Sequence, residues 1–311
     1  MMKKLIVLIF CLLLFLAACS NGSQNNDSKN NKDQSDNSKK ETTFTTDDGQ
    51  KVKVPQHPKR IVVLHPSYVG ALVKFGHKPV AVPKFIEQNK VLKDATQDIK
   101  KIDNTSVEQV VKEKPDLIIT TSEDKNFNKL KKIAPTVTFN ANKSSYKDTT
   151  RKLAQLVNEK SKANAWLKKW EQQLASDKKE LQPLIKGKTA SVLQQTPKGI
   201  MAFSDHMGRG TEIIYDGYGM KQPSPLEKAT QTKFATRINE EQFQDYIGDF
   251  AIIAQQGDKQ PPFEQTNYWK NLTTVKKNHV ITFDVSETQY NDPISLEKQR
   301  EIFYKALKDM K

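Results

Sequence analysis

Arg209 has the type and spacing best suited to chemistry in this chain. It stands in Met207-Gly208-Arg209-Gly210, a glycine-rich turn ahead of the helix-like run TEIIYDGYG, and is one of five arginines beside 45 lysines. A planar guanidinium offers paired donors that fit two oxygens of one chelating or carboxylate group, which a lysine ammonium does not. Two tyrosines could work with it. Tyr68 follows the apolar run Arg60 to Leu64, where strand-to-helix turns face a crevice in α/β folds. Tyr290 lies in Gln289-Tyr290-Asn291-Asp292-Pro293, where a phenol could donate to a ligand oxygen while its ring covers apolar surface. Asn291 and Asp292 suit a turn before Pro293. A different chemistry rests on His65 and His206, which occupy corresponding turns and with Asp205 or Asp292 could hold zinc or manganese directly. Their spacing is not that of a paired-histidine motif. No GxSxG, HExxH, GxxxxGKS/T or EF-hand sequence occurs.

These residues must be positioned by something, and the candidate is the stretch Ser161 to Leu184. Ala163, Trp166, Leu167, Trp170, Leu174 and Leu181 recur at helical spacing with lysines opposite, which predicts one long helix with Ser161 as N-cap and Pro183 as stop. Similar patterns flank it. RIVVL, a turn and GALVKFG precede it; Ser191 to Leu193, Ile200 to Phe203, a turn and TEIIYDGYG follow it. SVEQVVKEKPDLII, from Ser106, and NEEQFQDYIGDFAII, from Asn239, each place a capping residue, a glutamate two positions on (Glu108, Glu241), a short helix and a buried strand in that order. The expected fold class is therefore α/β, with two lobes joined by a single long helix. The segments are 1–18 signal peptide, 19–43 flexible tether, 44–158 first lobe, 159–184 linking helix and 185–311 second lobe. Within the first lobe, Phe44 to Val54 alternates around an Asp-Gly pair and predicts a hairpin.

Lys3 and Lys4 precede the apolar run Leu5 to Leu16, followed by Leu16-Ala17-Ala18-Cys19. This pattern resembles a bacterial lipobox, with cleavage before Cys19 leaving its thiol to carry a diacylglycerol and its amine an acyl chain. Two such chains hold a protein on a membrane without a spanning helix. Cys11 and Cys19 are the only cysteines, so the body after cleavage has neither a disulfide nor a thiolate metal site. The formal net charge is +14, but the lysines are scattered along amphipathic helices among acidic residues. They read as solvated faces, and no stretch looks like a nucleic-acid module.

The order of lipobox, polar tether, DDGQKVKVPQHPKRIVVL, VKEKPDLII, long helix, GRG turn and YNDP resembles the iron-siderophore-binding lipoproteins of bacterial ABC importers. Within that family it is most similar to the ferric hydroxamate binders of staphylococcal and bacillus type. The resemblance implies a class III binding-protein fold with a helical backbone, a shallow inter-lobe cleft and no catalytic activity. It also implies a monomer at the extracytoplasmic membrane face, lipid-anchored through Cys19, with no bound cofactor other than the lipid and with a ferric siderophore as ligand. Arg209, Tyr290, Tyr68, Met207 and Phe203 would contact the ligand. Glu108 and Glu241 are similar to the glutamates that dock onto two permease subunits. The chain departs from close hydroxamate binders in having Met207 for a tryptophan, Thr288 and Gln289 for aromatics and Phe203 for a tyrosine. These departures leave fewer rings and phenols in the cleft.

Overall fold

The structure, a computed structural model, describes residues Lys40–Lys311. The signal peptide, Cys19 and nearly all of the tether lie outside the described residues. The first regular element is the expected hairpin, β1 (Glu41–Thr45) against β2 (Lys51–Pro55), with Phe44 opposite Val52. It takes the last three residues of the segment assigned to the tether, because Glu41, Thr42 and Thr43 pair with Pro55, Val54 and Lys53. The turn is closed by Gly49 at φ +77°, a conformation open to glycine without a Cβ penalty.

The first lobe is a five-stranded parallel sheet of β3 (Ile61–Val63), β4 (Ala81–Pro83), β5 (Lys100–Ile102), β6 (Leu117–Thr121) and β7 (Thr136–Phe139), in the order β5-β4-β3-β6-β7. Its central strands are apolar at consecutive positions because both faces are covered. Ile61, Val63, Leu117 and Ile119 enter one core, and Val62, Leu64 and Ile118 enter the other.

The second lobe is a mixed sheet in the order β10-β9-β8-β11-β12. Its strands are β8 (Ala190–Thr196), β9 (Gly199–Phe203), β10 (Ala235–Ile238), β11 (Phe250–Gln255) and β12 (Val280–Asp284). Only β9 runs against its neighbours.

The linking helix spans Lys160–Ile185, about 39 Å at 1.5 Å per residue. Its first turns pack Ala163 into the first-lobe core, and Trp170, Leu174, Leu181 and Ile185 enter the second, with Trp166 against both. Two expectations about its ends fail. Ser161 lies inside the helix rather than capping it, and Pro183 is helical rather than the stop. A proline removes the bond to the carbonyl four residues back and crowds that carbonyl, yet the helix runs two residues past it to Ile185; Gly187 at φ +71° follows the true end. Asp177 is buried on this helix, where Arg300 binds it through two bonds of 2.7 Å and the Tyr218 phenol donates at 3.2 Å.

The lobes are braced at several points. Lys90 N–H and Val91 N–H donate to the Ser286 and Glu287 carbonyls. Glu297, on the final helix Pro293–Asp309, takes Lys74 Nζ and Trp166 Nε1, each at 2.7 Å. No helix among the described residues is long and apolar enough to cross a membrane.

Candidate functional site

Between the lobes lies a cavity of about 440 Å³, within the range of small-molecule sites. Its first-lobe wall comes from segments at the C-terminal ends of the parallel strands: His65 and Tyr68 after β3, Phe85 after β4, Ser122 and Glu123 after β6, Asn140 after β7. The connection after β3 runs to β4 on one side and that after β6 runs to β7 on the other, and crevices open at such switch points. Tyr68 is rooted in the core, its ring centroid 5.1 Å from Phe139 and 5.0 Å from His65.

The second-lobe wall is built on the glycine turn. Gly208, Arg209 and Gly210 all have left-handed backbones, with φ of +67°, +56° and +88°. A Cβ on Gly208 would lie 2.2 Å from the Gln289 carbonyl oxygen, the atom to which Arg209 N–H donates at 2.8 Å. A Cβ on Gly210 would lie 2.0 Å from the Phe303 ring. Gly210→Ala therefore combines left-handed strain with overpacking and is expected to cost about 2 to 4 kcal/mol in chemical denaturation. An unchanged midpoint would mean that the turn relaxes freely.

Buried polar groups lock this turn to the Tyr290 loop. Glu212, enclosed and with its pKa raised by burial, accepts from Gly208 N–H at 3.0 Å and from Asn291 Nδ2 at 2.9 Å. Gln299 accepts from Gly210 N–H and donates to the Tyr290 carbonyl, both at 2.7 Å.

The Arg209 side chain emerges from this frame into the cavity. Nε donates to Gln194 Oε1 at 2.8 Å, Nη1 to the Met207 carbonyl at 3.1 Å and Nη2 to Gln289 Oε1 at 3.4 Å. Every acceptor is neutral, and among the described residues no carboxylate forms an ion pair with it. Burial lowers its pKa to about 10, so it stays charged at neutral pH. A desolvated cation whose only carboxylate influence among the described residues is the charge of buried Glu212, with no carboxylate bound to it directly, favours an oxygen-bearing ligand of complementary charge density. Nearby, Tyr290 Oη is buried with no hydrogen-bond partner, and burial pushes its pKa up to about 12, so it keeps its proton to donate.

Tyr68, Met207, Arg209, Tyr290 and both histidines line one cavity, but Phe203 does not. Phe203 is a core residue beneath the turn, its ring centroid 4.4 Å from the guanidinium carbon of Arg209. It supports the arginine by stacking rather than covering a ligand. The metal alternative fares poorly: among the described residues no group of three or more His, Cys, Asp or Glu could hold an ion. His65 is kept neutral by burial, which lowers its pKa to about 4, while His206 is paired with Asp205 and raised.

Thr288 is fully buried and donates to the Ser295 carbonyl, so it braces the loop and offers no surface to a ligand. Asp292 caps the final helix by accepting from Ile294 N–H and Ser295 N–H at 2.9 and 3.1 Å. Gly70 lets the opposite lobe press against it, since a Cβ there would fall 1.7 Å from Asp292 Oδ1. Burial raises the Asp292 pKa to about 6, above the unfolded value of about 3.9. The folded state thus binds the proton more tightly. This group's contribution is complete below about pH 4 and is lost as pH rises through about 6. Relative to Asp292→Asn, which keeps the cap acceptor without titrating, the native protein should lose up to roughly 3 kcal/mol of stability between pH 4 and 7. Parallel stability profiles for the two proteins would refute the assignment.

Wall residues that sequence reasoning missed include Phe85, Glu123, Tyr146 and Phe234. The first three follow parallel strands, as Tyr68 does, and the same positional rule could have found them. Tyr146 follows Ser145, the N-cap of the next helix, and its phenol accepts from Trp170 Nε1 at 2.9 Å. Phe234 precedes β10 and carries no such signal.

Two α/β lobes bridged by one helix, closing on a crevice that offers a buried cation and an unsatisfied phenol, define a small-molecule binding protein. The chain belongs to the periplasmic binding protein family, which it matches over residues 61–286. It is 36% identical over 262 residues to the iron(3+)-hydroxamate-binding protein FhuD of Bacillus subtilis, covering 82% of this chain and 83% of that protein. Among solved structures it is similar to the FhuD protein from S. pseudintermedius, with a TM-score of 0.82, 35% identity and coverage of 86% and 98% of the two chains. It is also similar to Staphylococcus aureus FhuD2 with bound ferrioxamine B, with a TM-score of 0.77, 36% identity and coverage of 81% and 99%.

Proposed function

We propose that this protein is a membrane-anchored receptor that binds a ferric hydroxamate siderophore between its lobes and delivers it to an ABC permease for iron uptake. The observation that carries the reading is the charge of the cleft. A chain with 45 lysines places none among the described residues lining the cavity, where the charged or titrating side chains are Arg209, Glu123 and the two histidines. Three hydroxamates on Fe³⁺ give a neutral core with oxygens exposed at its edge, which one guanidinium and the Tyr290 phenol can satisfy. A tris-catecholate complex carries three negative charges and a citrate complex is also anionic; neither finds matching cations here. Tyr68, Phe85, Phe139, Tyr146, Met207 and Phe234 offer rings and a thioether to the apolar backbone of the chelator.

The protein acts as a carrier and has no chemistry of its own to perform on the complex. Its anchor is the acylated Cys19, with the polar residues up to the first hairpin as tether. It works as a monomer whose two lobes meet two permease subunits through Glu108 and Glu241.

The test is a titration of purified protein with ferric trihydroxamates, a ferric tris-catecholate, ferric citrate and free zinc. Saturable binding should be tightest for a trihydroxamate and should survive His65→Ala with His206→Ala. Preferred binding of zinc, with loss of binding in the double histidine variant, would replace this reading with the metal one.

A further inference from the structure

Glu123 is the charged wall residue for which the neutral chelate core has no use. It lies two residues beyond β6, at the switch point of the first sheet, and it is exposed into the cavity. The other carboxylates nearby are engaged. Asp47 takes Lys152 Nζ and Asn140 N–H, and Asp124 takes the Thr120 hydroxyl and Asn126 N–H. Among the described residues the Glu123 carboxylate has no such partner. Its field reaches into the cleft: beyond the effect of burial, the charges of Asp47 and Glu123 raise the Tyr68 phenol further above its ordinary pKa.

The cavity is therefore bipolar. Arg209 and His206 stand on the second-lobe wall and Glu123 on the first, with no lysine among the residues between them. A ligand matched to that field has chelate oxygens toward one wall and a cation toward the other. Linear trihydroxamates assembled from diaminoalkanes have this form, because one terminal amine is left free and protonated at neutral pH. Their alkyl arm is apolar up to the ammonium, and the Phe85 ring, 49% exposed on the same wall, offers cover for such an arm.

Building on the ferric hydroxamate reading above, we propose that Glu123 is a specificity residue that selects, among ferric hydroxamates, those carrying a primary ammonium arm. The pair it forms is partly solvated, so the preference is modest and sensitive to salt.

The experiment compares ferrioxamine B with its N-acetylated derivative, which differs by removal of that one charge, on the native protein and on Glu123→Gln. The native protein should bind the free amine about three- to five-fold more tightly at low ionic strength. The preference should vanish in Glu123→Gln through weaker binding of the amine alone, with the acetylated complex bound as before, and it should shrink in high salt. Equal affinity of the native protein for both complexes, or a preference that survives in Glu123→Gln, overturns the assignment. Failure of the native protein to bind either complex would instead overturn the hydroxamate reading, and this assignment with it.

Discussion

Arg209→Ala should weaken ferric hydroxamate binding roughly ten- to a hundred-fold while the protein stays folded. A charge-assisted hydrogen bond is worth about 1.5 to 3 kcal/mol, and that range sets the fold-change. The frame of the turn does not depend on the guanidinium. Its backbone is fixed by Glu212, Gln299 and the Gln289 carbonyl, all bound to main-chain N–H groups. Removing the side chain strips away a desolvated cation that has only neutral partners, so it takes away the ligand's counterpart without orphaning a buried carboxylate. Arg209→Lys should recover little of the loss, because an ammonium cannot hold the Gln194 and Met207 acceptors and still present paired donors. Isothermal titration with ferrioxamine B, set beside a denaturation curve, separates the two roles. A variant that unfolds early yet binds normally when folded would show the arginine to be only a brace.

The joint replacement Glu108→Ala and Glu241→Ala should abolish iron-siderophore uptake by cells while purified protein keeps its affinity for ligand. Ser106 caps the helix that opens with Val107, and its hydroxyl accepts from Gln109 N–H at 3.3 Å. Asn239 forms a full capping box with Gln242. Each glutamate thus sits in a fixed first turn and projects outward, and the Glu108 side chain is 79% exposed, with only the neighbouring Lys112 as partner. Topology adds a symmetry the spacing could not show. Glu108 follows β5 and Glu241 follows β10, and each of those strands is the edge of its five-stranded sheet. One carboxylate per lobe, at equivalent places, suits a permease with two similar halves that each carry a basic socket. Since both side chains are on the surface, the unfolding midpoint should stay within about 3 °C of the native value. Undiminished uptake by the double variant, at native expression and with no redundant binding protein, would remove the docking role.

Much of this architecture was legible because the relevant forces are local. The apolar runs in RIVVL and KPDLII mark strands, and β3 and β6 form there, since a strand covered on both faces must be continuously apolar. The helical period of Trp166, Trp170, Leu174 and Leu181 reports a rod with one buried stripe. The Asp-Gly hairpin and the caps at Ser106 and Asn239 depend on side chains within three residues of the groups they satisfy. The glycines around Arg209 announce a special backbone, since only a residue without a Cβ tolerates positive φ beside a carbonyl and a ring at such close range.

Tertiary structure alone decided what the turn residues face. Periodicity tells which side of an element is buried, not which distant element covers it. Phe203 was expected in the cleft because it stands where the resembling family carries a tyrosine, yet packing put it under Arg209. Gln299 reads as one polar residue on a helix, and only the folded chain brings it between Gly210 N–H and the Tyr290 carbonyl. The same holds for Asp177 with Arg300, 123 residues apart. By itself the sequence determined two α/β lobes, their linking helix and the arginine turn, because propensity, capping and backbone sterics act over a few residues. The cleft's bipolar wall, with Glu123 opposite Arg209, was decided by strand order and lobe packing, which place residues tens of positions apart around one cavity.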